Sequence, residues 1–179
     1  NLAAIETQFH HLVRTIPSEG LIIANAHSGS LKTVLAQGCW TPVAPFGDHD
    51  HWQVANVQPS GAFDVQYQGN TVGHIAWDLL GDHNRLNALA VIAAAQHVGV
   101  RVEHSCQALS QFKNVKRRME IKGIANGITV YDDFAHHPTA IETTLAGLRQ
   151  KVGSARIIAV LEPRSNTMKL GTMADALAG

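Results

Sequence analysis

The chain has 179 residues, 45% of them hydrophobic and 16% charged, which excludes a disordered or collagen-like polymer and allows one domain or two small ones. Fourteen basic residues offset fourteen acidic ones, so no net positive field points to nucleic acid and no lysine-rich run points to an anionic membrane; a compact polar ligand is the better expectation. Cys39 and Cys106 are isolated thiols without a CxxC spacing, and no basic-then-apolar leader opens the chain, which fits a reducing cytoplasm.

The chain opens Asn1-Leu2-Ala3-Ala4-Ile5 without an initiator Met. Leu2, Ile5, Phe9 and Leu12 fall at the spacing of an apolar helix face. It is therefore expected to begin inside a helix of a protein that is longer on both sides. From Gly20 to Gly73, short β-type runs alternate with turn residues: Leu21 to Ala24, Trp52 to Val57, and Phe63 to Tyr67. A tight turn at Gly69-Asn70 leads to Thr71 to Leu79. These runs predict a small, mainly antiparallel sheet. Leu86, Leu89, Ala90, Ala93, Ala94 and His97 then carry helical spacing, stopped by Gly99. That nearly apolar stretch is too short to span a bilayer and is broken by Asn87, Gln96 and His97.

A second helix is expected from Glu103 to about Phe112. Val115 to Ile121 and Ile128 to Tyr131, with Gly127 between them, read as a β-hairpin. Beyond Pro138, a good first-turn residue, Ala140 to Leu148 reads as helix, Ile157 to Leu161 as a short buried strand, and Thr167 onward as helix again. Strand, helix, buried strand, helix is the opening of a parallel α/β domain. A domain boundary is placed at Phe112-Lys113, dividing residues 1–112 from 113–179.

Four runs could carry chemistry. In Gly81-Asp82-His83-Asn84-Arg85-Leu86-Asn87, two asparagines three residues apart lie on one side of a first helical turn. Their amides match the donor and acceptor of an adenine edge; alternatively Asn84 caps the helix and His83 is packed. In Lys116-Arg117-Arg118-Met119-Glu120, read as strand, Arg118 and Glu120 share one face and Arg117 and Met119 the other. A guanidinium held there could stabilise charge on a transferring phosphoryl group, or the run is a charged edge that discourages aggregation.

In Val130-Tyr131-Asp132-Asp133-Phe134-Ala135-His136-His137-Pro138, a strand ends in paired carboxylates, paired imidazoles and a helix-starting proline, at the kind of strand end where ligands collect in α/β folds. Asp133 could bond ribose hydroxyls or orient a metal, and the histidines could position an anion or exchange a proton. In Leu161-Glu162-Pro163-Arg164-Ser165-Asn166-Thr167, Arg164, Ser165 and Asn166 with the backbone donors of a helix start could receive a carboxylate or phosphate, or Ser165 or Asn166 simply caps the helix. Asp48-His49-Asp50-His51 has metal-ligand residue types, but neighbouring residues rarely converge on one ion, and no metal site is assigned.

In this order, these four runs resemble the Mur ligase family across essentially the whole chain. The resemblance implies the later part of a central ATP-binding domain followed by the start of a Rossmann-like C-terminal domain. It further implies a cytoplasmic ATP-dependent ligase that joins a peptide or amino acid to UDP-N-acetylmuramate through an acyl phosphate, with Mg²⁺ ligands lying elsewhere. By carry-over, Asn87 with His83 and Asn84 would hold adenine. Arg118 would face the terminal phosphate and act catalytically, and Asp133 would contact ribose. His136, His137, Arg164, Ser165 and Asn166 would shape the muramate or peptide pocket. The run Glu162 to Gly171 resembles the branch that takes the recycled murein tripeptide L-alanyl-γ-D-glutamyl-meso-diaminopimelate rather than the branch that adds L-alanine.

No Gly-Lys-Ser/Thr phosphate loop occurs in the chain. The 179 residues alone are expected not to ligate, and a hinge near Phe112 is expected to serve closure over a hydrolysable intermediate. The alternatives are the ligase that adds L-alanine to UDP-N-acetylmuramate, more distantly a folylpolyglutamate synthase, and a non-catalytic binding module derived from such a ligase.

Overall fold

The computed structural model describes residues 1–162 together with Gly171 and Ala174. Two compact units are present: residues 1–78 with 84–111, and residues 79–83 with 112 onward.

The first unit is built on a five-stranded sheet in sequential order. After helix α1 (Leu2–Val13) come β1 (Ile22–Asn25), α2 (Gly29–Ala36) and β2 (Val43–Phe46), with β2 parallel to β1 from Ile22↔Val43 to Asn25↔Phe46. β3 (Trp52–Ala55) continues parallel to β2 through the single pair Phe46↔Trp52. β4 (Phe63–Tyr67) and β5 (Asn70–Ile75) then add antiparallel. The sheet is thus mixed. Its antiparallel half follows the spacing legible in the sequence, whereas its parallel half rests on α2 and β2, which the sequence reading passes over.

Local chemistry explains several boundaries. Asn1 caps α1 by accepting from the Ala4 N–H at 2.9 Å, and Ser28 caps α2 by accepting from Leu31 at 3.3 Å. Tyr67 pairs with Asn70, so the hairpin turn is Gln68-Gly69, one residue earlier than expected. Both turn residues have positive φ, at 50° and 77°. That is the twist a two-residue hairpin loop requires.

α3 (Asp82–His97) ends where Gly99, at φ +89°, turns left-handed. There the Gly99 N–H bonds to Gln96 and the Val100 N–H to Ala95, so two otherwise orphaned carbonyls are satisfied. α4 (Val102–Ser110) packs on β5. Among the described residues, Phe63 and Val65 of β4, Ile75 of β5, and Leu89 and Ile92 of α3 are the largest side chains fully sealed from solvent. By contrast, Leu2, Ile5, Phe9 and Leu12 of α1 are all exposed, and Val13 is the buried residue of that helix.

The second unit contains the antiparallel hairpin β6 (Glu120–Ala125) and β7 (Ile128–Asp132) and helix α5 (Pro138–Val152). Asn126 and Gly127, both at positive φ, make its turn. α5 has Pro138 in its first turn, where a missing N–H costs nothing. Arg149 folds back at its other end and donates to the carbonyls of Gly153 and Ala155 at 2.7 and 2.6 Å.

The expected strand Ile157 to Leu161 has no pairing partner among the described residues, and Ile158, Val160 and Leu161 are exposed. A buried strand needs neighbours on both sides, which apolar composition alone does not supply. The helix expected from Thr167 lies outside the described residues. No helix among the described residues is long and apolar enough to cross a membrane.

Candidate functional site

Asp82 begins α3, so Asn84 lies within its first turn and not at the cap position left open above. Asn87, one turn further on, is exposed, while Arg85, Ala88, Leu89, Ile92 and Ala93 form the buried face. Asn87 therefore projects away from the core, as a ligand contact must.

Just before the helix, Gly81 has φ +84°. A Cβ there would stand 2.8 Å from Nδ1 and Cε1 of His83, so the His83 ring closes over a position that only glycine can occupy. Gly147 of α5 lies against the same residue: a Cβ on Gly147 would meet the Gly81 backbone at 3.2 Å.

Lys116 to Met119 form a turn, and strand pairing begins only at Glu120. Arg117 and Met119 both have positive φ, at 59° and 49°, so the face alternation expected of this run does not apply. What fixes the turn is hydrogen bonding from the neighbouring strand-to-helix loop. Asp133 accepts from the Met119 N–H through Oδ2 at 2.8 Å and from the Ala135 N–H through Oδ1 at 2.7 Å. The Phe134 N–H donates to the Arg117 carbonyl at 2.9 Å. The Arg117 N–H donates to Glu120 at 3.0 Å, and the Asn114 amide donates to the Arg118 carbonyl at 2.6 Å. Lys122, 2.9 Å from Glu120, and the Arg117 N–H together hold the Glu120 carboxyl below its usual range.

The two arginines differ in kind. The Arg117 guanidinium lies over the Phe134 ring, 4.9 Å from its centre, and 3.7 Å from Asp132. Arg118 is exposed, and its guanidinium makes no hydrogen bond or ion pair with any described residue. Of the pair, Arg118 has a charge available for an anion. His136 donates from Nδ1 to the Phe134 carbonyl at 2.9 Å, which leaves Nε2 for another partner. His137 occupies the N-cap position of α5 without capping it through its side chain.

The structure thus brings Arg118, Asp133, His136 and His137 onto one stitched turn and loop in the second unit, while Asn84 and Asn87 belong to the first. Arg164, Ser165 and Asn166 lie outside the described residues. Sequence reasoning missed the bracing role of Asp133; the available signal was an Asp two residues before a free backbone donor, the pattern of an Asx turn. It also missed Phe134 as the platform beneath Arg117. In the Asp48 to His51 run, His51 bonds Asp48 at 2.9 Å, and among the described residues no three metal-ligating side chains converge.

Residues 117–179 match the family model described as Mur ligase, glutamate ligase domain. Over 99% of its length the chain is 52% identical to UDP-N-acetylmuramate–L-alanyl-gamma-D-glutamyl-meso-2,6-diaminoheptandioate ligase of Escherichia coli (strain K12), covering 39% of that protein. Over 98% of its length it is 36% identical to UDP-N-acetylmuramate–L-alanine ligase of Clostridium acetobutylicum, again covering 39%. A crystal structure of a murein peptide ligase from Psychrobacter arcticus 273-4 superposes with a TM-score of 0.70 at 48% identity, covering 99% of this chain and 38% of that one. The chain therefore spans about two fifths of the length of the curated relatives it matches.

Proposed function

The chain belongs to the Mur ligase family, and on that premise we propose that the protein carrying it joins the murein tripeptide L-alanyl-γ-D-glutamyl-meso-diaminopimelate to UDP-N-acetylmuramate at the expense of ATP. The observation that carries the choice of branch is the identity of 52% to a tripeptide-adding relative against 36% to an alanine-adding one, each over nearly the whole chain. The run Glu162-Pro163-Arg164-Ser165-Asn166-Thr167 points the same way.

In this reading ATP phosphorylates the muramate carboxylate, and the tripeptide amine attacks the acyl phosphate to leave an amide and inorganic phosphate. Asn87, with Asn84 and His83 nearby in sequence, takes the adenine edge. Arg118 contributes positive charge where the phosphoryl group transfers, a role suited to an exposed guanidinium with no partner among the described residues. Asp133 already accepts two backbone N–H bonds, yet each carboxylate oxygen retains acceptor capacity for a ribose hydroxyl. His136 and His137, with Arg164, Ser165 and Asn166, shape the acceptor pocket.

Magnesium would neutralise phosphate charge in such a reaction. By the family resemblance, its ligands are expected from other parts of the protein. A cytoplasmic location follows from the need for ATP and a UDP-linked acceptor.

The test offers the full-length protein ATP, Mg²⁺ and UDP-N-acetylmuramate with L-alanine and the tripeptide in competition, and reads the products by mass. A tripeptide adduct supports the proposal. An alanine adduct moves the protein to the other branch, and no adduct with either favours a binding module.

A further inference from the structure

His27 and Gly47 lie on the two loops at the C-terminal ends of the parallel strands β1 and β2, the edge of an α/β sheet where ligands collect. Neither belongs to a motif singled out in the sequence. The Nε2 of His27 bonds the Gly47 carbonyl at 2.5 Å. A carbonyl only accepts, so Nε2 carries the hydrogen.

Both loops are held from below. The His27 N–H donates to the Asn25 side chain at 2.9 Å, the Ala26 N–H to the Phe46 carbonyl at 2.9 Å, and the Gly47 N–H to the Trp52 carbonyl at 2.7 Å. Gly47 has φ +95°. A Cβ on it would stand 3.2 Å from Cδ2 of Leu86 and 3.3 Å from the His27 ring. Leu86 is therefore seated on the bare face of Gly47, beside the imidazole that grips the Gly47 carbonyl. Leu86 lies between Asn84 and Asn87 on α3.

We propose that His27 is a positioning residue for nucleotide recognition: by holding Gly47 under Leu86, it fixes the rotation of the first turns of α3 and so the direction in which Asn84 and Asn87 present their amides to an adenine edge. This rests on the adenine role given to those asparagines above. Selection for adenine depends on two amide bonds meeting one base edge, and a small rotation of the helix degrades both together. His27 touches no nucleotide in this scheme; it acts through Gly47 and Leu86.

The experiment uses the full-length protein and measures kcat, KM for ATP, the ratio of kcat/KM for ATP to that for GTP, and thermal stability. For His27→Ala the expected result is a rise in KM for ATP of about three- to tenfold, the effect of losing one hydrogen bond. The ATP-to-GTP ratio is expected to fall by a similar factor, with kcat within about twofold of wild type. His27→Gln, whose amide can still donate to the Gly47 carbonyl, restores the ratio. Gly47→Ala, which crowds Leu86, reproduces the loss.

A His27→Ala enzyme with unaltered KM and ATP-to-GTP ratio overturns the proposal. So does one whose melting temperature falls while base discrimination stays intact, because that is a purely structural role. A wild type that ligates but does not discriminate ATP from GTP removes the adenine role on which the proposal stands, and one that neither binds nor consumes ATP removes the ligase reading as well.

Discussion

The Asp133 carboxylate accepts the Met119 N–H at 2.8 Å across 14 positions of sequence, tying the Lys116–Met119 turn to the loop that enters α5. Its other oxygen accepts from Ala135 at 2.7 Å. The residue proposed to bind ribose is also the clasp that shapes the turn bearing Arg118.

Asp133→Ala removes both bonds, and Asp133→Asn keeps one acceptor oxygen while presenting an NH₂ to a backbone donor. Because Asp133 is part-buried, the alanine variant is expected to lose about 1–3 kcal/mol of stability and the asparagine variant about half of that. Urea denaturation of the full-length protein measures both. Equal and negligible losses would show that the clasp is not what holds the turn.

Arg118→Ala and Arg117→Ala are expected to separate. Arg118 has no partner among the described residues, so its loss should leave stability unchanged while lowering kcat by roughly 10²- to 10³-fold, as for removal of a group that stabilises charge in the transition state. Arg117 lies over Phe134 and near Asp132, so its loss should cost up to about 1 kcal/mol of stability. Its effect on kcat should be smaller than that of Arg118→Ala. Steady-state kinetics with thermal melts read both arms.

Gly73 on β5 faces Cys106 of α4 so closely that a Cβ would lie 2.5 Å from Sγ. Cys106 is buried, so making room for a Cβ requires Sγ to move within packed surroundings. Gly73→Ala is expected to destabilise by about 1–3 kcal/mol, the usual cost of overpacking. In the Gly73→Ala/Cys106→Ala pair, the penalty of Gly73→Ala measured against Cys106→Ala should largely vanish. A double-mutant cycle in urea measures the coupling; additivity would show that the approach of α4 to β5 is looser than the geometry indicates.

Asp64 accepts from Asn56 at 2.8 Å and from His74 Nδ1 at 2.8 Å, and those two bonds hold its carboxyl below its ordinary value. A carboxyl depressed in the folded state favours folding above its unfolded pKa. That contribution is lost as pH falls through the folded value, below about pH 4. Asp64→Asn should therefore flatten the acid limb of a stability–pH profile in that window and leave the neutral limb parallel to wild type. A profile of unaltered shape below pH 4 would count against it.

Much of the fold is legible in the sequence because its signals are local. The 3.6-residue spacing that ends in Gly99, the alternation of Phe63 and Val65, and Pro138 opening α5 each act through neighbours within a turn or a pleat, so composition and order suffice to place α3, β4 and α5. The motif residues are likewise local, and their order identifies the family.

Where the sequence reading failed, the deciding partner is distant. β2 contains Pro45, which argues against a strand, yet it pairs along its length with β1 and with β3 only at Phe46, so a missing donor is tolerated. Lys116 to Met119 reads in sequence as part of a strand but is bent by bonds from Asp133 and Phe134, and no pattern within the run reveals that. Residue types and their order determined by themselves which family the chain resembles. Tertiary structure alone decided which arginine is occupied, which carboxylate serves as a brace, and that Leu86 rests on Gly47, because each depends on hydrogen bonds or close approach between residues that only folding brings together.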